Sequence, residues 1–126
     1  MAGTLVLDTL QNGAGTASTS ADNVINGSAK AWVNFNGTGT VAIRASYNVS
    51  SITDNGTGQY TINFTNALPD ANYAVSLAGI TNTSGGGRFI NGPSTSAPTT
   101  TAFRIYCSQS GVGDVDFEYA YLAVFR

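Results

Sequence analysis

WVNFNGTGTVAIRASYNVSSITDNGTGQYTINFTNALP, residues 32–69, is the stretch on which the fold turns. It holds the chain's single tryptophan, Trp32, and two copies of Asn-Gly-Thr-Gly, beginning at Asn36 and Asn55. Each copy lies between runs in which apolar and polar residues alternate, the period of a strand with one buried face. Asn-Gly between two such runs is the strongest short-range sign of a hairpin, because both residues tolerate the positive φ of a tight turn. The stretch therefore predicts two consecutive hairpins with similar turns, one at Asn36-Gly37 and one at Asn55-Gly56. Two units are too few for a solenoid.

Working outward, Lys30–Phe35 sets Ala31, Val33 and Phe35 on one side and Lys30, Trp32 and Asn34 on the other. Trp32 is out of phase with the apolar set, which marks it for a second interface. Val41–Tyr47 places Val41, Ile43, Ala45 and Tyr47 opposite Arg44. Val49–Asp54 follows, then Tyr60–Phe64, which points Tyr60, Ile62 and Phe64 one way. Leu68–Asn72 is a turn, and Tyr73–Leu77, a short piece at Arg88–Asn91 and Ala102–Cys107 continue the strand pattern.

Val115–Phe125 is the longest alternating run, with Val115, Phe117, Tyr119, Tyr121, Ala123 and Phe125 sharing a face. Its other face passes from Asp116 and Glu118 to Ala120, Leu122 and Val124. A strand apolar on both sides at its end is expected to enter a core or a subunit interface. At the other end of the chain, Thr4–Leu10 reads as a first strand. Gln11–Gly27, rich in Gly, Ala, Ser and Thr, reads either as an extended arm lying against a neighbouring subunit or as a flexible lead-in. No helix-period segment stands out. The expectation is an all-β, antiparallel β-sandwich of about eight or nine strands, with residues 1–28 as N-terminal strand and extended arm and residues 29–126 as the sandwich domain.

At 126 residues and 12.9 kDa the chain is one domain. Five Lys+Arg against seven Asp+Glu give a net charge of −2, too few cations for the basic stripe that nucleic acid requires. Nor is there a basic amphipathic face for a membrane surface, or an apolar run long enough to span one. Gly, Ser, Thr and Asn replace the missing charges, yet the thirteen Trp, Tyr and Phe residues recur inside alternating runs, which argues for a folded chain rather than a disordered one. Cys107 is the single cysteine and reads as a small buried hydrophobe. Six Asn-X-Ser/Thr triplets, at Asn26, Asn36, Asn48, Asn55, Asn63 and Asn82, follow from Asn/Thr-rich turns. Met1–Leu10 has neither the basic start nor the apolar run of a signal peptide, so synthesis in the cytoplasm is expected.

Catalytic chemistry is poorly supplied. Without histidine there is no usual general base near neutral pH and no Ser-His-Asp or Cys-His arrangement. The acids Asp8, Asp22, Asp54, Asp70, Asp114, Asp116 and Glu118 mostly sit in turns and show no paired spacing of the glycosidase kind. Asp114, Asp116 and Glu118 would share one strand face, either as a solvated polar face or, gathered about a symmetry axis, as oxygen ligands for a hard cation. A zinc site lacks its ligands. Neither a cofactor nor a metal is expected, and the chain does not read as an enzyme.

The run AKAWVNFNGTGTVAIRASYNVSSITDNGTGQYTINFTNALPDANYAV, residues 29–75, closely resembles a module of bacteriophage tail-fibre and minor virion proteins. DNVINGS, residues 22–28, often precedes that module. Residues 76–126 lie outside the resemblance. It implies a virion structural protein made in the host cytoplasm, a tail-fibre or spike component assembling as a homotrimer and meeting other virion proteins and a host surface glycan or outer-membrane protein. The alternative it leaves open is a capsid-decorating or head-fibre protein. It carries over no catalytic residue. Recognition is expected in residues 81–114, where Arg88 and Phe89 follow the triple glycine Gly85–Gly87. Arg88, Phe89, Asn91, Tyr106 and the Ser108–Asp114 loop are the receptor-binding candidates, the competing reading being that Phe89 and Tyr106 are core. Trp32, Leu122 and Val124 are the candidates for an oligomer interface.

Overall fold

A computed structural model describes residues 3–81, 86–92 and 96–126. The residues at 82–85 and 93–95, which include Gly85 and Asn82, are the part of the expected recognition stretch that lies outside the described residues. In chain order the elements are β1 (Thr9–Gln11), β2 (Ser18–Ser20), α1 (Ala21–Gly27), β3 (Ala29–Asn36), β4 (Ala42–Tyr47), β5 (Val49–Gly56), β6 (Gln59–Phe64), β7 (Ala74–Ile80), β8 (Arg88–Asn91), β9 (Ala102–Gln109), β10 (Gly113–Asp114) and β11 (Tyr119–Phe125). Two antiparallel sheets pack face to face. One has the order β4-β3-β11-β7; the other runs β10-β9-β6-β5, with β8 also paired to β9. The fold is an all-β sandwich of five and four strands, as the alternation predicts.

Alternation decides the core. Ala31, Val33 and Phe35 of β3 and Ala120, Leu122 and Val124 of β11 meet Tyr60, Ile62 and Phe64 of β6 and Phe103, Ile105 and Cys107 of β9, all of them buried. A fully buried side chain of this size contributes about 1.5–3 kcal/mol. Phe35 and Tyr60 touch edge to face across the two sheets, ring centres 5.1 Å apart.

The two hairpins of residues 32–69 are both present, but each belongs to a different sheet: β3–β4 to the four-stranded sheet, β5–β6 to the five-stranded one. The chain crosses between them at Asn48, the single non-glycine residue with positive φ (53°) among the described residues. Its side chain holds the corner shut. Nδ2 donates to the carbonyls of Lys30 and Asn66 at 3.1 and 3.2 Å, and Oδ1 accepts from Asn66 N–H at 2.8 Å. Asparagine suits the site because it tolerates the left-handed region and satisfies backbone groups on both flanks.

The expected likeness of the two turns is corrected. The first connects Asn36 to Ala42 through five residues. In the second, Gly56 pairs with Gln59, so Thr57-Gly58 is the loop and Asn55 lies in a bulge. There Asp54 Oδ1 accepts from Gly56 N–H at 2.9 Å, and Asn55 Nδ2 reaches Thr61 Oγ1 at 2.8 Å, contacts that extend the ladder past Asn-Gly.

The reading of Val115–Phe125 as one strand is also corrected. Residues 115–118 cross from the five-stranded sheet to the four-stranded one: Val115 N–H donates to the Cys107 carbonyl at 3.0 Å, and the Phe117 carbonyl accepts from Gly37 N–H at 2.8 Å. The crossing shifts the alternation by one residue, which exchanges the faces. Phe117 is buried, but beyond it Ala120, Leu122 and Val124 point inward, while Tyr119, Tyr121 and Phe125 lie on the opposite face. Leu122 and Val124 are therefore core residues of their own subunit and drop out as interface candidates. Trp32, out of phase as expected, sits on the outer face, 40% exposed.

Residues 3–28 do not form a plain extended arm. β1 and β2 make a small hairpin, closed by Asn12 Oδ1 accepting from Thr16 and Ala17 N–H at 2.9 and 3.2 Å. A seven-residue helix follows, with Ser20 as its N-cap accepting from Asn23 N–H at 3.1 Å and Asp22 in its first turn. Cap and acid are helix-start signals, but two turns are too short to display a period. No helix among the described residues is long and apolar enough to cross a membrane.

Candidate functional site

The outer face of the five-stranded sheet collects the residues with the most binding chemistry. Directly opposed residues of antiparallel strands share a face. In β9 the inward set is Phe103, Ile105, Cys107 and Gln109, which leaves Arg104, Tyr106 and Ser108 outward. Asn91 and Phe89 of β8 stand opposite Tyr106 and Ser108, and Gln59 and Thr61 of β6 stand opposite Tyr106 and Arg104. Three of the four receptor-binding candidates, Phe89, Asn91 and Tyr106, are thus brought onto one surface, with Phe89 50% exposed. Arg88 is not with them. It pairs with Gln109 on the inward side, and its Nη1 donates to the Gly86 carbonyl at 3.1 Å.

Along this surface runs a chain of polar contacts. Arg104 Nη2 donates to Gln59 Oε1 at 3.0 Å, and Gln59 Nε2 donates to Asp114 Oδ2 at 3.0 Å. The Arg104 guanidinium also lies over the Tyr106 ring, 5.3 Å from its centre, a cation–π arrangement. Among the described residues, Arg104 Nε is buried without a hydrogen-bond partner. Farther along, Asn63 Nδ2 donates to Ser51 Oγ and Thr53 Oγ1 at 3.1 and 2.9 Å. The result is a lattice of amides, hydroxyls and one guanidinium with aromatic rings set into it. Such a surface can stack on apolar ring faces and hydrogen-bond to hydroxyl groups.

Asp114 joins this surface, which the sequence reading places only loosely in the Ser108–Asp114 loop. Gln59 and Arg104 are not among the sequence's binding candidates. The signal for both is local: each is in the polar phase of a strand whose apolar phase follows from alternation.

The three acids Asp114, Asp116 and Glu118 do not converge. Asp114 takes the Gln59 amide. Asp116 turns inward, accepting from Gly58 N–H at 2.7 Å and the Tyr60 hydroxyl at 2.6 Å, with the Gly37 carbonyl 3.0 Å from the same hydroxyl. The Glu118 carbonyl receives Arg44 Nη1. Among the described residues no three of His, Cys, Asp and Glu come together as metal ligands. Burial, the Asp116 hydrogen bond and its negative charge all push the Tyr60 hydroxyl far above an ordinary tyrosine. Burial, with the charges of Asp116 and Asp114, pushes the Cys107 thiol up to about 12. A fully buried thiol that stays protonated is no nucleophile.

The outer face of the four-stranded sheet is different in kind. Cross-strand pairing lines up Tyr47, Trp32, Ala123 and Ser76 in one row and Ala45, Asn34, Tyr121 and Ala78 in the next. Tyr119 stacks on Tyr121 with ring centres 6.3 Å apart, and the Arg44 guanidinium covers the Tyr119 ring at 4.0 Å. In comparisons with known proteins, no family model, no curated protein and no solved structure matches this chain.

Proposed function

We propose that this chain is a structural component of a bacteriophage virion, a tail-fibre or spike subunit that assembles with copies of itself and binds a host surface glycan through the outer face of its five-stranded sheet. The observation that carries the proposal is the row Arg104, Tyr106 and Asn91 beside Gln59 and Asp114, aromatic and hydrogen-bonding groups set side by side on one sheet face. The likeness of residues 29–75 to a tail-fibre module supports it, and that run builds one hairpin of each sheet and the corner between them. On this reading the module is mainly scaffold and lends Gln59 of β6, while the later strands β8, β9 and β10 supply the other contacts. The chain acts by binding and not as an enzyme.

The test is adsorption. Arg104→Ala and Tyr106→Ala variants that keep the wild-type melting temperature should bind host cells or a glycan array at least tenfold more weakly. Unchanged binding by both folded variants removes the face as the receptor site. A second reading, a capsid-decorating or head-fibre protein, draws on the aromatic outer face of the four-stranded sheet, which suits mounting on protein. Virions that carry the chain on their heads and adsorb equally well without it would favour that reading.

A further inference from the structure

Two apolar surfaces of this chain are left uncovered, and they complement each other. The first is the outer face of the four-stranded sheet, where Trp32, Tyr47 and Ile80 are 40%, 58% and 54% exposed. Large apolar side chains grouped on one face of a folded chain mark an interaction surface. The second is in residues 3–28. Leu5, Val6 and Leu10 face Val24 and Ile25 of α1 across an open groove of about 420 Å³, and Leu5 and Val6 are 83% and 87% exposed. A β-hairpin and a two-turn helix bury too little to keep such a groove empty by choice.

Charge and area agree with the match. Residues 1–28 carry Asp8 and Asp22 and neither Lys nor Arg. The four strands of the sheet, β3, β4, β7 and β11, carry Lys30 and Arg44 and neither Asp nor Glu. The chain exposes 7395 Å², against roughly 6,300 Å² for a compact chain of its mass, an excess of about 1,100 Å². One side of a standard protein interface buries about 800 Å². The helix is joined to its own sheet by a short, fixed link. A single residue, Ser28, separates α1 from β3, and it is fixed by its N–H to the Val24 carbonyl at 3.1 Å and its hydroxyl to the Ile25 carbonyl at 3.0 Å. Lys30 Nζ, from the second residue of β3, reaches the same Ile25 carbonyl.

We propose that the N-terminal hairpin and helix of one copy dock on the outer face of the four-stranded sheet of the next, with Trp32 and Tyr47 seated in the groove of Leu5, Val6, Leu10, Val24 and Ile25. The contact is heterologous: each copy offers its groove to one neighbour and its aromatic face to another. A rotation that closes makes a ring, such as a trimer, and one that does not close makes a filament. This inference goes beyond the glycan reading and needs no ligand on the five-stranded sheet, so either can fail alone.

Trp32, the one tryptophan, reports the contact in the unaltered protein. As concentration rises through assembly, its emission should shift to the blue and its quenching by acrylamide should fall, in step with the growth in mass measured by sedimentation. Ile25→Ser, in the arm, and Tyr47→Ser, on the face, should each raise the concentration for half-assembly by about tenfold or more. An equimolar mixture of the two should then recover one contact, because each variant keeps one sound surface, and should stop at a 1:1 pair. A wild-type chain that stays monomeric, or a Trp32 whose accessibility does not change on assembly, overturns the proposal. So does assembly that Ile25→Ser leaves intact, which would mean that sheets pair face to face, or a mixture that recovers nothing. Ile25 is 59% exposed outside the sandwich, so that variant leaves the core untouched.

Discussion

The two Asn-Gly-Thr-Gly motifs are identical in sequence and opposite in surroundings. Their last glycines, Gly39 and Gly58, have nearly the same φ, 64° and 68°. A Cβ on Gly39 would meet nothing within 4 Å, whereas one on Gly58 would collide with the Cys107 carbonyl and with the backbone of Val115. The first motif is held instead through Gly37, whose carbonyl and N–H face Tyr60 and Phe117. The two motifs meet through one buried link, in which the Tyr60 hydroxyl and the Asp116 carboxylate stand between the Gly37 carbonyl and the Gly58 N–H. Identical local sequence gives the two last glycines a similar φ but not the same turn. What the turn is worth depends on what the rest of the chain packs against it.

The largest expected effect separates the two glycines. Gly39→Ala adds only the strain of a left-handed alanine, about 1 kcal/mol. Gly58→Ala adds the same strain and a backbone collision, on the order of 4 kcal/mol or outright failure to fold. Denaturant midpoints of the two variants measure the difference. Equal losses would mean that the Cys107–Val115 wall gives way, and the contrast between the motifs would disappear.

How much of this could be read beforehand depends on the range of the cause. The inward sets of β3, β6 and β9 follow from alternation, a local signal, and all of them are in the core. The face of β11 does not, because the one-residue shift at 115–118 comes from Asp116 and Phe117 being drawn to Gly58 and Gly37, contacts more than fifty residues away in sequence. Leu122 and Val124 lie in the core of the sandwich for that reason. The Asn55-Gly56 turn was displaced by the Asp54 and Asn55 side chains, a competition that a turn rule does not weigh. On the polar sheet face, Tyr106 and Asn91 were legible as candidates. Their convergence with Gln59 and Arg104 depended on the pairing of β6, β8 and β9, which one-dimensional periodicity leaves open.

The link itself is tested next. Tyr60→Phe keeps the ring against Phe35 but leaves the Asp116 carboxylate with Gly58 N–H alone, a loss of about 1–3 kcal/mol near neutral pH. The loss should depend on pH in a definite direction. The buried hydroxyl stays protonated in the fold while an unfolded tyrosine ionises near pH 10. Above that pH the unfolded chain binds fewer protons than the folded one, so stability falls as pH rises. Wild-type protein should therefore lose stability steeply above about pH 10, and Tyr60→Phe should flatten that decline. Cys107, pushed up to about 12, and Tyr73, also raised by burial, leave a residual slope in that variant, the thiol's part beginning near pH 9. An unchanged alkaline slope would show that the hydroxyl is not the group being held.

The smallest effect belongs to a carboxylate paired at the surface. Asp70 Oδ1 accepts from Arg126 Nε and from Asn72 N–H, both at 2.8 Å, and these bonds hold its carboxyl below the usual range, the Arg126 contact being the stronger cause. Here the sign reverses. As pH falls below about 4, the unfolded carboxyl takes up its proton first, so the pair's contribution is present above that pH and is lost as pH drops through the folded value. Asp70→Asn should lower the denaturant midpoint near neutral pH by less than Gly39→Ala does, since exposed pairs are screened by water and salt. The difference from wild type should vanish in acid. A loss at neutral pH as large as that of Tyr60→Phe would mean that the turn at Asp70 carries the sandwich as much as the buried link does, and that burial is not what ranks these contacts.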